Sequence, residues 1–330
     1  AVVASTGSFA AGGNMNTARD QTAGAGSYDG ALCFGGQPPE PLAVTELYNG
    51  TSWSEESDLN TGRLKAGGAG TSQTSILAAA GYSGSSYYVN TEKWNGSSWT
   101  EVNDLSLGRS SVGMSGADTT SALVFGGGLP GANPTANTES WNGTNWTTVN
   151  SLNAARRDIG GVGTATAAIC FGGQPTASKT ETELWNGTNW TETTDLNAAR
   201  IIPGGTGIAT AALCVGGYDF DPNVSDRVES WNGSNWTEVG DINTARYGLG
   251  CSGTYTAALA FGGNPPATLA VTEEWNGASW VEVNDLNVGR NGMGAAGTVP
   301  ASLAFGGTPP VGGQTEEWNV PSNVIKTLTD

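Results

Sequence analysis

Arginine recurs at one fixed place along this chain, and seven guanidinium groups in register could bind an anion or tie loops together. The intervals between these register arginines are 44 to 47 residues. A guanidinium carries five N–H donors in a rigid fork, which suits an anion or a set of backbone carbonyls and carboxylates. Because all seven recur together, we expect structural hydrogen bonds rather than an anion-binding mouth. The register arginines are Arg19, Arg63, Arg109, Arg156, Arg200, Arg246 and Arg290.

The carboxylates are also in register, and the chain contains no histidine. Without histidine there is no imidazole for a general base, for a serine or cysteine triad, or for the usual zinc and copper sites. A glutamate precedes an aromatic residue by two positions seven times, from Glu46 with Tyr48 to Glu316 with Trp318. Groups present in every repeat are more typical of a scaffold than of a catalyst. We therefore expect no enzyme, with a carboxylate-dependent polysaccharide hydrolase or lyase as the alternative.

One acidic segment interrupts the repeat and could bind a cation. Alternating oxygen ligands of this kind resemble the start of a calcium loop, although the usual glycine and distal glutamate are missing. An ordinary turn rich in Asp and Asn is the other interpretation. No further cofactor is expected. The candidate calcium ligands are Asp219, Asp221, Asn223 and Asp226.

Tryptophan pairs flank an Asn-Gly dipeptide, the strongest short-range signal for a β-hairpin. In the repeat at 231–246, Trp231 and Trp236 enclose the turn. A two-residue turn would place the rings diagonally, whereas a four-residue turn would oppose them, and both put the rings on one face. The rings could be sugar-stacking platforms, but their repetition favours the core between repeats.

The sequence pattern of each repeat predicts four strands, a to d, which would position the arginines, glutamates and tryptophans. Strand a follows the arginine and is rich in glycine, as in 67–70, which suits crowding around a central channel. Strand b, such as 122–125, is continuously apolar and ends at Gly-Gly. Strands c and d form the tryptophan hairpin. With 51 glycines and 14 prolines, helix content should be near zero.

Seven repeats of this length predict one all-β domain over 1–330, a seven-bladed β-propeller with four antiparallel strands per blade. The predicted blades cover roughly 17–59, 60–105, 106–152, 153–196, 197–242, 243–286 and 287–330. Strand d of the last blade must come from a chain end, so that the ring closes without exposed edges. The candidates are 5–14 and 323–329, and we favour the C-terminal one for its better strand chemistry.

The order arginine, strand, Gly-Gly, variable loop, Glu-x-Trp, turn and Trp resembles the kelch repeat over nearly the whole chain. The amino-acid sequence of the blades, for example residues 231–246, is also similar to that of uncharacterised kelch-repeat proteins of marine bacteriophages. The first resemblance implies a propeller, and the second implies a viral source. Galactose oxidase, a kelch enzyme, needs two histidines for its copper, so this chain departs from that pattern.

The loops between strands b and c, and the residues after each register arginine, differ most between blades. In a four-stranded meander both connections lie on the same face, where selectivity can be built on a repetitive scaffold. Unconstrained drift of loops is an equally good explanation. The predicted ligand-binding residues on this face are Lys65, Tyr82, Tyr87, Tyr88, Arg157, Asp158, Tyr218, Phe220 and Tyr247.

The composition limits the partners. A net charge of −17 disfavours nucleic acid, and no apolar stretch is long enough for membrane insertion. Cys33, Cys170 and Cys214 occupy equivalent places in separate blades, so we expect free buried thiols rather than a disulfide involving Cys251. We expect a noncatalytic binding or structural module, on a virion surface or extracellular, that recognises a host-surface glycan or another virion structural protein.

Overall fold

A computed structural model of the protein describes residues 7–37, 39–174, 177–219, 224–264, 267–308 and 311–320. Three of the predicted site residues, Phe220, Asp221 and Asn223, lie outside these ranges, as does the C-terminal strand predicted at 323–329. In the described part, no helix is long and apolar enough to cross a membrane.

The described residues form seven four-stranded antiparallel sheets, each a blade. Blade 7 combines both ends of this part of the chain, in the order β1-β30-β29-β28. The strands of the chain's first half are β1 (Ser8–Ala11), β2 (Ala23–Ser27), β3 (Gly30–Phe34), β4 (Thr45–Tyr48), β5 (Trp53–Glu55), β6 (Gly67–Ser72), β7 (Ser75–Ala79), β8 (Thr91–Trp94), β9 (Trp99–Val102), β10 (Gly113–Asp118), β11 (Ser121–Phe125), β12 (Gly128–Leu129), β13 (Asn133–Pro134), β14 (Thr138–Trp141) and β15 (Trp146–Val149).

The second half continues the same order of strands in blades 4 to 7. Between β12 and β13, a single 3-10 turn spans Pro130–Ala132. The remaining strands are β16 (Gly160–Gly163), β17 (Ala168–Phe171), β18 (Thr182–Trp185), β19 (Trp190–Glu192), β20 (Gly204–Ile208), β21 (Ala211–Val215), β22 (Val228–Trp231), β23 (Trp236–Glu238), β24 (Gly250–Thr254), β25 (Ala257–Phe261), β26 (Thr272–Trp275), β27 (Trp280–Glu282), β28 (Gly294–Thr298), β29 (Ala301–Phe305) and β30 (Thr315–Asn319).

The glycine-rich strands a form the inner wall of the ring, as predicted. Each contacts the strands a of both neighbouring blades, including β2 with β28 across the closure. Glycine is required where blades approach closely. A Cβ on Gly160 would lie 2.2 Å from the ring of Phe171, and one on Gly161 would lie 3.1 Å from Phe125 of the preceding blade. Strand b is covered on both faces, and residues such as Leu123 and Val124 are fully buried.

The hairpin between strands c and d uses the four-residue turn, which resolves the alternative that the sequence left open. Trp94 pairs directly with Trp99, and their ring centroids are 5.5 Å apart. The Asn95 side-chain oxygen accepts hydrogen bonds from the backbone N–H groups of Ser97 and Ser98, at 2.9 and 3.0 Å. Asparagine is therefore needed to cap the turn, and Gly96 supplies a positive φ of 96°.

The tryptophans belong to the core between blades, as predicted. At each seam, meaning the contact between two adjacent blades, an aromatic ring of strand d packs against the preceding blade. Trp236, for example, lies 5.1 Å from Phe171 and donates its indole N–H to the hydroxyl of Thr182 at 2.9 Å. Equivalent indole-to-hydroxyl bonds join Trp53 to Thr315, Trp99 to Thr45, Trp146 to Thr91 and Trp190 to Thr138.

The register arginines are structural, and each is paired with the glutamate of the Glu-x-aromatic motif in its own blade. All seven arginine and glutamate side chains are 2% exposed or less. Arg19 lies 3.1 Å from a carboxylate oxygen of Glu46 and donates to the carbonyl of Val44 at 2.7 Å. Glu46 in turn accepts the backbone N–H groups of Asn16 and Thr17. This Arg–Glu layer fixes the loop that enters each blade.

The ring closes with the N-terminal strand, so the preference for the C-terminal candidate was wrong. Strand β1 pairs with β30, and Phe9 lies opposite Trp318. The ring of Phe9 is 5.3 Å from both Phe261 and Trp318, in the place that a tryptophan occupies in the other blades. Burial of this aromatic ring between two blades outweighs the poor strand propensity of the alanines that follow it.

Candidate binding face

Three positions in each blade form one face of the ring, which we call the crown. The residue after each register arginine forms an isolated antiparallel bridge with the residue after Gly-Gly. The residue two after the arginine lies beside this bridge. The bridges are Asp20–Gln37, Leu64–Tyr82, Ser110–Gly128, Arg157–Gln174, Ile201–Tyr218, Tyr247–Asn264 and Asn291–Thr308. The third positions are Gln21, Lys65, Ser111, Asp158, Ile202, Gly248 and Gly292.

The third positions of the crown form an inner circle with one backbone conformation. All seven have a positive φ, from 48° at Ile202 to 61° at Gly248. Four seams are joined by hydrogen bonds between these residues, such as Lys65 N–H to Gln21 O at 3.0 Å. The left-handed region is unfavourable for residues with a Cβ, and most of all for β-branched ones such as Ile202. The backbone of this circle is therefore fixed by the fold, while its side chains vary freely.

Blades 4, 5 and 6 together build a polar and aromatic cluster on the crown. The Asp158 carboxylate accepts hydrogen bonds from the guanidinium of Arg157 at 3.1 Å and from the amide of Gln174 at 2.7 Å. The rings of Tyr218 and Tyr247 are 4.9 Å apart across the seam between blades 5 and 6. We call this cluster the Tyr218 patch, and its members are Arg157, Asp158, Gln174, Ile202, Tyr218, Tyr247 and Asn264.

The two halves of the Tyr218 patch also influence each other electrostatically. Burial raises the pKa of Tyr218, and the negative charge of Asp158 and the neighbouring Tyr247 raise it further. Asn264 donates to the phenolic oxygen of Tyr247 at 3.3 Å. Ile202 is 40% exposed and adds apolar surface at the inner edge. The patch therefore offers apolar rings beside fixed hydrogen-bonding groups, and the raised pKa keeps the Tyr218 phenol protonated at neutral pH.

The structure places six of the nine predicted binding residues on the crown, in two separate groups. Arg157, Asp158, Tyr218 and Tyr247 are in the Tyr218 patch, while Lys65 and Tyr82 lie on blade 2. The ring of Tyr87 packs 4.7 Å from that of Tyr82. Tyr88 contributes less surface than expected, since its half-buried ring lies 5.7 Å from the Arg63 guanidinium carbon.

Sequence reasoning missed Gln174 and Asn264, because each looks like an ordinary loop residue after Gly-Gly. The signal that could have found them is their position, which is the same as that of Tyr82 and Tyr218 in their own blades. Gln37 was missed for the same reason, and Asp20 was missed because it looks like an ordinary loop residue after its register arginine.

The predicted calcium ligands are only half described. Asp219 accepts a hydrogen bond from the Ser178 hydroxyl of the preceding blade, and Asp226 is exposed. Both line an open cavity of about 460 Å³, together with the guanidinium-bearing Arg227. Among the described residues there is no group of three acidic, cysteine or histidine side chains that could hold a metal ion. A calcium site therefore remains a prediction.

All four cysteines, at 33, 170, 214 and 251, are free thiols, as expected, and the first three are buried. Burial raises the pKa of Cys170 to about 11 and the pKa of Cys214 to about 12. These thiols are uncharged in the neutral range, which makes them poor nucleophiles. They belong to the scaffold rather than to a reactive site.

No protein-family model matches the chain, and no curated protein matches it. Among solved structures, the chain is similar to one described as "Structure of YjhT", with a TM-score of 0.63 and 12% sequence identity. The similarity covers 82% of this chain and 99% of the other. At this identity the likeness concerns the fold alone. Together with the seven closed sheets, it shows that the chain folds as a seven-bladed β-propeller.

Proposed function

We propose that this protein is a noncatalytic recognition module that binds a glycan through its crown. The observation that carries the proposal is the Tyr218 patch, where two tyrosine rings adjoin a carboxylate, a guanidinium and two amides. Sugars present apolar C–H faces and hydroxyl groups that both donate and accept hydrogen bonds. The rings suit the first, and the fixed polar groups suit the second.

The polar groups of the patch are held in position before any ligand arrives. Asp158 is fixed by two donors, yet a carboxylate has about four lone-pair sites, so it can accept further hydrogen bonds from sugar hydroxyls. Its charge is balanced by Arg157, which lowers the cost of covering it with a ligand. Preorganised groups of this kind lose little entropy on binding.

The repeat pattern supports a biological setting for this proposal. The resemblance to kelch-repeat proteins of bacteriophages favours a virion surface or appendage, with a host-surface glycan as the ligand. Another virion structural protein is the alternative partner, because the crown is broad and varied enough for a protein contact.

A carboxylate-dependent hydrolase or lyase is less well supported. The seven repeated glutamates are buried and paired with arginines, so they are not available to a substrate. On the crown's bridges and inner circle, the acids are Asp20 and Asp158, from blades on opposite sides of a seven-membered ring. Glycosidase carboxylates must instead flank a single scissile bond.

The proposal is tested on an array of bacterial surface polysaccharides, with Tyr218→Ala/Tyr247→Ala beside the wild-type protein. Removing two aromatic contacts should weaken binding to any positive polysaccharide at least tenfold, since each is worth about 1 kcal/mol or more. The matched control is Tyr255→Ala. Tyr255 is 45% exposed but lies in the turn between β24 and β25, on the opposite face, so its removal should leave binding unchanged.

Two results would overturn the proposal. One is a double variant that binds as tightly as the wild type and the Tyr255 control. The other is the release of reducing ends or unsaturated sugars from the polysaccharide, which would make the protein an enzyme.

A further inference from the structure

Asp20, in the crown of blade 1, is buried although the fold does not require a carboxylate there. It is 9% exposed, and its Oδ1 has no hydrogen-bond partner among the described residues. The equivalent residues of blades 2 and 5 are Leu64 and Ile201, which are buried and apolar. An apolar side chain therefore satisfies the scaffold at this position. A buried carboxylate oxygen without a hydrogen-bond partner lowers the stability of the fold, which points to a role for Asp20 outside folding.

The surroundings of Asp20 supply further polar groups. Its backbone bridges that of Gln37 through two hydrogen bonds, at 3.1 and 3.2 Å. Lys65 lies across the seam to blade 2, where its backbone N–H bonds to Gln21, and its charge acts on the Asp20 carboxylate. We call Asp20, Gln21, Gln37 and Lys65 the Asp20 group. It combines an acceptor, a cationic donor and two amides, which is again a set that suits sugar hydroxyls.

Space for a ligand is available beside the Asp20 group. The adjoining member of the inner circle, on blade 7, is Gly292, and a Cβ built there would meet no atom within 4 Å. In a ring of seven, blade 1 lies opposite the seam between blades 4 and 5. The Asp20 group and the Tyr218 patch are consequently on opposite sides of the channel mouth.

We propose that the Asp20 group is a second sugar subsite, and that the ligand is an oligosaccharide chain long enough to cross the channel mouth to the Tyr218 patch. This inference rests on the proposed function and adds the ligand's class, a polymer rather than a single sugar. A chain that engages both groups gains affinity from the second contact, because the first one already holds it close.

The test uses size-defined fragments, from one to eight sugar units, of a polysaccharide that the array identifies. Titration calorimetry with the wild-type protein should show affinity that rises with chain length and then levels off. Asp20→Asn and Asp20→Leu should each weaken the longest fragment about tenfold and leave a disaccharide unaffected. The control is Asp29→Asn, an exposed acid in the turn between β2 and β3 of the same blade, on the opposite face.

Thermal unfolding separates this role from a structural one. Because leucine already fills the equivalent position in blade 2, Asp20→Leu should unfold at the wild-type temperature or above it. If Asp20→Asn and Asp20→Leu bind the longest fragment as the wild type does, while Tyr218→Ala/Tyr247→Ala loses it, the second subsite is refuted and the proposed function stands. If the wild type binds no fragment of any length, both are refuted.

Discussion

The Arg–Glu layer and the crown are neighbours in sequence and in space, yet the residue types of the layer are constant between blades while those of the crown vary. Arg200 ends the layer of its blade, and Ile201 and Ile202 begin the crown directly after it. In every blade the layer has the same two charged residues, an arginine and a glutamate, paired with each other. The crown, by contrast, holds acids, bases, amides, tyrosines, aliphatic side chains and glycines at equivalent positions. The layer shows which residues the fold needs, and the crown shows which positions the fold leaves free to vary.

The largest expected effect comes from breaking the layer. Arg200→Met leaves the Glu229 carboxylate buried without its cation, and should lower the free energy of unfolding by about 3–5 kcal/mol. The double variant Arg200→Met/Glu229→Leu removes both charges and should regain part of the loss, but not all of it, because the Asn197 N–H groups that donate to Glu229 then lack a partner. Urea denaturation measures the free energy of unfolding of both variants. If the single variant costs less than about 1 kcal/mol, or as little as a crown variant such as Ile202→Ala, the layer is not the scaffold described above.

A smaller effect on the free energy of unfolding is expected at the seams between blades, where one blade lacks the threonine that the others have. Trp280 is buried, but its indole N–H has no partner in the described part of the chain, because Val228 stands where other blades have threonine. Val228→Thr should supply that hydroxyl and stabilise the protein by about 1 kcal/mol. The matched change Thr182→Val, which strips the partner of Trp236, should destabilise it by about 1–2 kcal/mol. Opposite signs in thermal or urea unfolding would confirm this account, and a destabilising Val228→Thr would contradict it.

The smallest expected effect is on how readily a reagent reaches cysteine thiols in the two regions. At pH 8 the thiols of Cys170 and Cys214 should be almost entirely protonated and shielded, since burial raises their pKa values to about 11 and about 12. Their reaction with a disulfide reagent should be slow until the protein is unfolded. A cysteine placed on the crown by Ile202→Cys should react at once, because Ile202 is 40% exposed. Rapid labelling of Cys170 in the folded wild type would show that the two regions do not differ in access.

The sequence predicted those parts of the structure that repeat. Seven arginines, six Asn-Gly turns and the paired tryptophans each carry the same information in several blades, so errors at one position are corrected by the others. The nearest carboxylate in the sequence is not the partner of the register arginine. Asp58 stands five residues before Arg63, but it accepts the N–H of Thr45 instead, and the arginine pairs with Glu92.

The sequence could not predict the structural features that occur only once in the ring or that bring together residues from several blades. The closing strand is a single event, and there the contact of Phe9 with Phe261 and Trp318 outweighed strand propensity. The Tyr218 patch needs Gln174, Tyr218 and Asn264 from three different blades, each reached by its own bridge. Their proximity follows from the closed ring and is not visible in any one repeat.

The most direct test of the crown as a recognition surface is a crystal structure of the protein with an oligosaccharide fragment that it binds. The account predicts sugar density against the rings of Tyr218 and Tyr247, continuing across the channel mouth toward Asp20. Density confined to the opposite face, around Tyr255 and the exposed Ile208, would contradict it.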